Sequence, residues 1–183
     1  MSNSLFETKK SSLSGKGAFA SRDILVNETI CFLEGARISL QELGRRLHEN
    51  PEKEGDALQI DDEIYIDMKE EFRCINHSCN PNAGIRGEHE LIALKKIREG
   101  EELTYDYSTT MWEDPVKIKK WLGLPLWMLR CQCNENNCRK MIGQFYDLPK
   151  PIQLKYIRKK AVPQFILKVL RIRTFGTLVY TKI

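Results

Sequence analysis

Three cysteines fall within eight positions, Cys131, Cys133 and Cys138, in a Cys-x-Cys-x4-Cys pattern. Thiolates at such spacing are the usual material of a tetrahedral zinc site, and a closed structural site needs four ligands. The cluster offers three, and no histidine follows it. Cys79, 52 residues upstream, is the natural fourth, because it already sits in a polar loop. Zinc would then staple the end of the chain's body onto that loop. The bland alternative is a set of free thiols. Cys31 and Cys74 have apolar neighbours and read as buried thiols. The cysteine usage fits a reducing, cytosol-like compartment.

The loop that carries Cys79 reads Asn76-His77-Ser78-Cys79-Asn80-Pro81-Asn82. Seven polar or turn-forming residues beside the apolar Ile75 are ordinary for a surface turn, but they also offer the donors and acceptors that a buried polar ligand needs. Glu101-Glu102-Leu103-Thr104-Tyr105-Asp106-Tyr107 places two phenols two residues apart. In a strand they face the same side, either as packed aromatics or as two hydroxyls aimed into one cavity. Gly15-Lys16-Gly17 is a tight-turn signal that also permits close approach of backbone to a ligand. It lacks the third glycine and following helix of a dinucleotide fingerprint.

Taken in order, GKGAFA, NHSCNPN, GEELTYDY and the cysteine cluster resemble the SET-domain protein lysine methyltransferases with a post-SET zinc motif. The likeness covers residues 5–108 and 129–143. It implies a mainly β fold with short helices, small curved sheets around a knot-like NHSC loop, and a cosubstrate, S-adenosylmethionine. It implies that Ser14, Gly15, Lys16 and Gly17 contact that cosubstrate largely through backbone, that Asn76 and His77 hold its adenine end, and that Arg73 lines the site. It implies Tyr107 as the catalytic hydroxyl, which also borders the cofactor, and Tyr105 as the neighbouring phenol that shapes the lysine channel. Gln132 falls where some members add a cofactor contact. Cys79, Cys131, Cys133 and Cys138 match the structural zinc ligands. One departure stands out: where many members carry a further tyrosine, this chain reads Gly55-Asp56-Ala57-Leu58, and Tyr65 lies nearer the loop.

Short elements must position these residues. Residues 15–21 and 29–33 read as strands, 58–60 with 63–67 as a hairpin across Asp61-Asp62, and 83–86 with 90–94 as a second pair around Gly87. Ser39 can cap a helix over residues 40–49 that buries Leu40, Leu43 and Leu47. Asp114-Pro115 can open a helix through Trp121, which Gly123 and Pro125 end. Beyond Pro149, Ile152, Leu154 and Ile157, then Phe165, Ile166, Val169 and Leu170, predict two helical segments parted near Pro163. The expected division is a SET domain over 5–108, a linker over 109–128, the zinc motif over 129–143 and a basic helical extension over 144–183.

Of the 183 residues, 42% are hydrophobic and 30% charged, which excludes global disorder. The apolar stretch at residues 122–129 is too short to cross a bilayer, and the first ten residues lack the apolar run of a secretory signal. Charge is uneven. Residues 1–149 hold 20 basic and 25 acidic groups, net −5, whereas residues 150–183 hold 9 basic groups and no acidic one, net +9. An acidic body favours a lysine-rich protein substrate, histone or histone-like among them, and a basic tail favours an anion such as nucleic acid, or is simply a solvated helix face. The expected location is the cytoplasm, or chromatin if the protein is eukaryotic or acts in a host cell. Two competing functions are a silent SET module that binds peptide or chromatin, and a zinc-dependent nucleic-acid binder. The first conflicts with an intact Tyr107, Asn76 and His77, and the second leaves the glycine turn, the NHSC loop and the paired tyrosines without a role.

Overall fold

The computed structural model describes residues 4–50 and 57–179, with side chains through residue 171. Strands β1 (Phe6–Lys10), β2 (Lys16–Ala20), β7 (Asn76–His77) and β10 (Glu102–Tyr105) form a sheet in the order β1-β2-β10-β7. A second sheet runs β3 (Thr29–Phe32), β9 (Glu90–Ala93), β8 (Ala83–Arg86), and a third β4 (Gly35–Ser39), β6 (Ile64–Met68), β5 (Ala57–Asp61). The architecture is mainly β with short helices, as expected. Residues 51–56, which include Gly55 and Asp56 of the departure noted above, lie outside the described residues.

The local signals translate directly into elements. Helix α1 (Leu40–Glu49) starts at Ser39, whose hydroxyl accepts from the Glu42 N–H at 3.2 Å. The single turn α2 (Glu70–Arg73) follows β6, and the buried leucines of α1 meet Ile118 and Leu122 of α3 (Pro115–Leu122), which Asp114 caps and Gly123 ends at φ +68°. Tyr65 belongs to this cluster, with its hydroxyl 3.5 Å from Glu113 Oε1. It therefore does not stand in for the tyrosine missing upstream of the NHSC loop.

The main core fills the space between the sheets with Ala18, Ile24, Leu33, Ile75, Ile85 and Leu103, all essentially inaccessible to water. A separate cluster ties the C-terminal part to the second sheet: Ile92 and Leu94 pack with Trp112, Phe145, Tyr156, Phe165 and Ile166. Helices α4 (Lys150–Arg158) and α5 (Gln164–Val179) are parted near Pro163 as the sequence predicts. The buried face of α4 is not purely apolar. Leu154 is exposed, and Gln153 and Tyr156 are buried instead. Gln153 tolerates burial because its side-chain amide donates to the Leu148 carbonyl at 2.7 Å. Among the described residues no helix is long and apolar enough to cross a membrane.

Candidate functional site

Parallel pairing of β7 with β10 sets Asn76 beside Thr104 and His77 beside Tyr105. Asn82 locks the NHSC loop against β10. Its side-chain oxygen accepts from the Thr104 N–H at 2.9 Å and its amide donates to the Glu102 carbonyl at 2.8 Å. Just beyond β10, the Tyr107 N–H donates to His77 Nδ1 at 3.2 Å, and the Tyr107 hydroxyl donates to the Ile75 carbonyl at 2.9 Å. The rings of Tyr105 and Tyr107 lie 4.7 Å apart. Burial raises the pKa of both phenols, with Tyr107 adding to the rise at Tyr105, and Cys74 and Glu102 adding to that at Tyr107. At neutral pH the Tyr107 hydroxyl is therefore a donor and not a base.

Asn76, His77 and Tyr107 border a cleft of about 170 Å³. Leu13, Leu129 and Ile142 give it apolar walls, while Ser14, Asn76, His77, Tyr107 and Gln132 give it polar edges, with Arg130 and Cys133 also on its rim. Such a mixture suits a nucleoside-bearing ligand. The glycine turn is held by side chains behind the cleft. Gly15 has φ +43°, and a Cβ on Gly17 would collide with the Glu102 carboxylate and with Ser11. Glu102 accepts from Ser11 Oγ at 2.8 Å and from Asn76 Nδ2 at 2.7 Å, and the same Asn76 amide donates to the Lys16 carbonyl at 3.0 Å. One carboxylate thus couples the turn to β7.

On the other side of the cleft the cysteines converge. Cys79 Sγ lies 3.7 Å from Cys131 Sγ and 3.4 Å from His77 Nε2. His77, Cys79, Cys131 and Cys133 place their donor atoms within 4.8 Å of one another. Cys138, half-buried, packs against the same cluster and accepts from the Lys140 N–H at 3.4 Å. For Cys133, burial opposes ionisation, but backbone N–H contacts and the neighbouring thiols outweigh it and bring the thiol down to about 7. Burial pushes Cys79 up to about 11. This donor set could hold a zinc ion. Burial lowers His77 to about 4 against the opposing Asp106 carboxylate, with Arg139 adding a smaller push downward, so its ring is neutral. Its Nδ1 accepts from Tyr107, so the ring proton sits on Nε2, pointed at the Cys79 sulfur.

Asp106, between the two tyrosines, is completely buried. Its carboxylate accepts from Arg139 Nη2 at 2.6 Å and from the Tyr156 hydroxyl at 3.0 Å.

The structure thus gathers Ser14, Asn76, His77, Tyr107 and Gln132 at one cleft, with Tyr105 directly behind Tyr107. Gly15, Lys16 and Gly17 shape the turn without lining the cleft, and the Lys16 ammonium reaches Glu70. Arg73 turns to other partners. It does not line the cleft, and its guanidinium bonds Asp67 at 2.9 Å and the Met68 carbonyl. Cys74 is buried as expected, while Cys31 is only half-buried, its thiol pushed up to about 12 by burial. Glu102, Asp106, Arg139, Asn82 and the Leu129 and Ile142 walls escape sequence reasoning. Of these, Asn82, Glu102 and Asp106 lay inside motifs already singled out.

The SET domain family model matches residues 15–108. The variant-silencing SET domain-containing protein of Plasmodium falciparum is 36% identical over 119 residues, 56% of this chain and 5% of that protein. Histone-lysine N-methyltransferase trithorax of Drosophila virilis is 28% identical over 146 residues, 73% of this chain and 4% of its own. The H3 lysine-36 specific histone-lysine N-methyltransferase of Candida albicans is 31% identical over 144 residues, 72% of this chain and 16% of its own. The chain therefore spans a small part of the length of these relatives. A solved structure, a humanized mutant of the Chaetomium thermophilum Polycomb Repressive Complex 2 bound to the inhibitor GSK126, is similar with a TM-score of 0.50 and 28% identity. That likeness covers 58% of this chain and 15% of that one. With a matched segment that holds the glycine turn, the NHSC loop and both tyrosines, this chain belongs to the SET-domain family.

Proposed function

We propose that this protein is a lysine N-methyltransferase that moves a methyl group from S-adenosylmethionine to a lysine side chain of a basic protein, histone or histone-like, with monomethyl-lysine favoured. The observation that carries the reading is the Tyr107 hydroxyl on the same cleft wall as Asn76 and His77. When bound, S-adenosylmethionine supplies a methyl on a positively charged sulfur. The acceptor amine must be neutral, and free lysine titrates near ~10.4. Burial around Tyr105 and Tyr107 disfavours the ammonium form. Tyr107 and the Ile75 carbonyl then orient the reacting groups, with alignment supplying the rate. Water carries the proton away, since neither phenol is ionised.

One structural zinc held by Cys79, Cys131, Cys133 and Cys138 completes the cysteine side of the cleft in this reading. The His77 tautomer favours Cys138 as the fourth ligand and leaves His77 donating to the Cys79 thiolate. The acidic body suits a lysine-rich peptide. The extension suits nucleic acid. Lys150, Lys155, Arg158, Lys159, Lys160, Lys168 and Arg171 form no ion pair among the described residues, whereas Arg22, Arg37, Arg46, Lys69 and Lys117 of the body do. A substrate packed with nucleic acid, as in chromatin, would satisfy both regions. Incubating the pure protein with methyl-labelled S-adenosylmethionine and a panel of basic proteins is the test. Label on lysine supports the reading, and label on no member of a panel that includes histones overturns it.

A further inference from the structure

The geometry points to Tyr156, in the C-terminal extension and outside the matched residues 15–108, as a positioning residue: its hydroxyl, together with Arg139, holds Asp106 and so fixes the turn that aims Tyr107. This rests on the methyltransferase reading of the Tyr107 site.

Asp106 is the residue between the two phenols, and its side chain is 0% exposed. A buried carboxylate is tolerated only when its oxygens are satisfied. Oδ1 accepts from Arg139 and, at 3.2 Å, from the Ser108 N–H, which makes Asp106 the cap of the 3-10 turn Tyr107–Thr109. Oδ2 accepts from Tyr156. Three parts of the chain converge on one side chain: β10 and its turn, the cysteine segment through Arg139, and α4 through Tyr156. Arg139 also donates its backbone N–H to Cys79 Sγ at 3.4 Å, so the same residue faces the cysteine cluster.

The extension delivers that hydroxyl with little slack. The Gln164 N–H donates to the Gly87 carbonyl at 2.7 Å and Lys159 Nζ to the Leu94 carbonyl at 2.9 Å. Gly84 lies so close to the extension that an added Cβ would come within 2.8 Å of Ala161 Cβ. The Tyr156 ring packs among Ile92, Leu94, Phe165 and Ile166, a role phenylalanine would fill equally well. Only the hydroxyl speaks to Asp106.

The test compares Tyr156→Phe with Ile166→Val, which thins the same apolar cluster without touching Asp106. Each should lower the melting temperature by about 2–4 °C. Tyr156→Phe should lower kcat about 10-fold with KM for peptide and cosubstrate within about twofold of wild type, because alignment is lost and binding is not. Ile166→Val should keep kcat. An independent readout uses tyrosine labelled with carbon-13 in the ring: the Tyr107 resonance should move in Tyr156→Phe and stay in Ile166→Val. Wild-type kcat with an unmoved Tyr107 resonance in folded Tyr156→Phe overturns the inference, as does an equal fall of kcat in Ile166→Val. If the wild-type protein methylates nothing, the functional reading falls, and the resonance alone decides: movement upholds the positioning role and no movement overturns it.

Discussion

The two walls of the cleft are held by different physics. On one side Asn76, His77, Tyr105 and Tyr107 hang from β7 and β10, whose backbone bonds and apolar neighbours Ile75, Leu103 and Ala18 belong to the main core. On the other side Leu129, Gln132 and Ile142 hang from a segment whose regular structure is one two-residue strand pair, β11 (Leu129–Arg130) with β12 (Met141–Ile142). Its buried cluster is four residues, three of them cysteines. Apolar burial holds the first wall in any redox or metal condition, whereas the second depends on what its thiols bind.

Metal removal tests that contrast most severely. With zinc on Cys79, Cys131, Cys133 and Cys138, chelation should abolish methyl transfer while the β-rich body keeps its far-ultraviolet circular dichroism and its main melting transition. Protein purified without added metal should carry one zinc per chain by elemental analysis. His77→Gln should retain that zinc and Cys138→Ser should lose it. The reverse pattern would make His77 the fourth ligand.

Core truncations on the two walls should separate next. Leu103→Ala removes a fully buried side chain from the main cluster and should cost about 2–5 kcal/mol of global stability, read by denaturant unfolding. Ile142→Ala, in the small cysteine cluster, should leave that transition nearly in place and weaken cosubstrate binding instead. A large global loss from Ile142→Ala would show that the second wall is part of the body's cooperative unit.

The same contrast explains what the sequence could tell. Elements closed by near neighbours were legible: the Ser39 cap of α1, the hairpin of β5 and β6, and the Asp114-Pro115 start of α3 all use contacts a few residues apart. The cysteine convergence was legible because few residue types bind zinc. Asp106 to Tyr156, 50 residues apart, and Glu102 to Asn76, 26 apart, were not, because neither pairing leaves a local pattern. The buried face of α4 was not legible for a related reason. Periodicity selects apolar residues for the buried face, and here a satisfied glutamine and a tyrosine with a distant carboxylate partner occupy it. The partners of Arg73, Asp67 and the Met68 carbonyl, were not legible either, because adjacency to a motif does not fix where a long side chain turns.

Tyr107→Phe probes the rigid wall at its reactive atom. It removes the donor to the Ile75 carbonyl and leaves ring packing intact. Methyl transfer should fall by a factor on the order of 10², about 3 kcal/mol of transition-state stabilisation, while calorimetry shows cosubstrate affinity nearly unchanged. Wild-type turnover on a validated substrate would remove Tyr107 from the reaction.

Tyr105→Phe should have the smallest effect, on which product forms and not on whether one forms. The Tyr105 ring is buried and stacks 4.7 Å from Tyr107, yet its hydroxyl bonds no described residue. That leaves the hydroxyl free to hold an incoming amine, directly or through a water, in space that an already methylated amine would need. A second transfer requires the amine to rotate and set its first methyl there. Giving up that hydrogen bond or displacing that water costs roughly 1–2 kcal/mol, about 5–30-fold in rate. The wild-type product should therefore be mostly monomethyl-lysine, and Tyr105→Phe should raise the di- and trimethyl fraction while keeping the first transfer. Mass spectrometry of the product at long reaction times decides it. Trimethyl-lysine dominant from the wild-type protein would mean that the channel is wide despite the phenol, and that Tyr105 does not set the product.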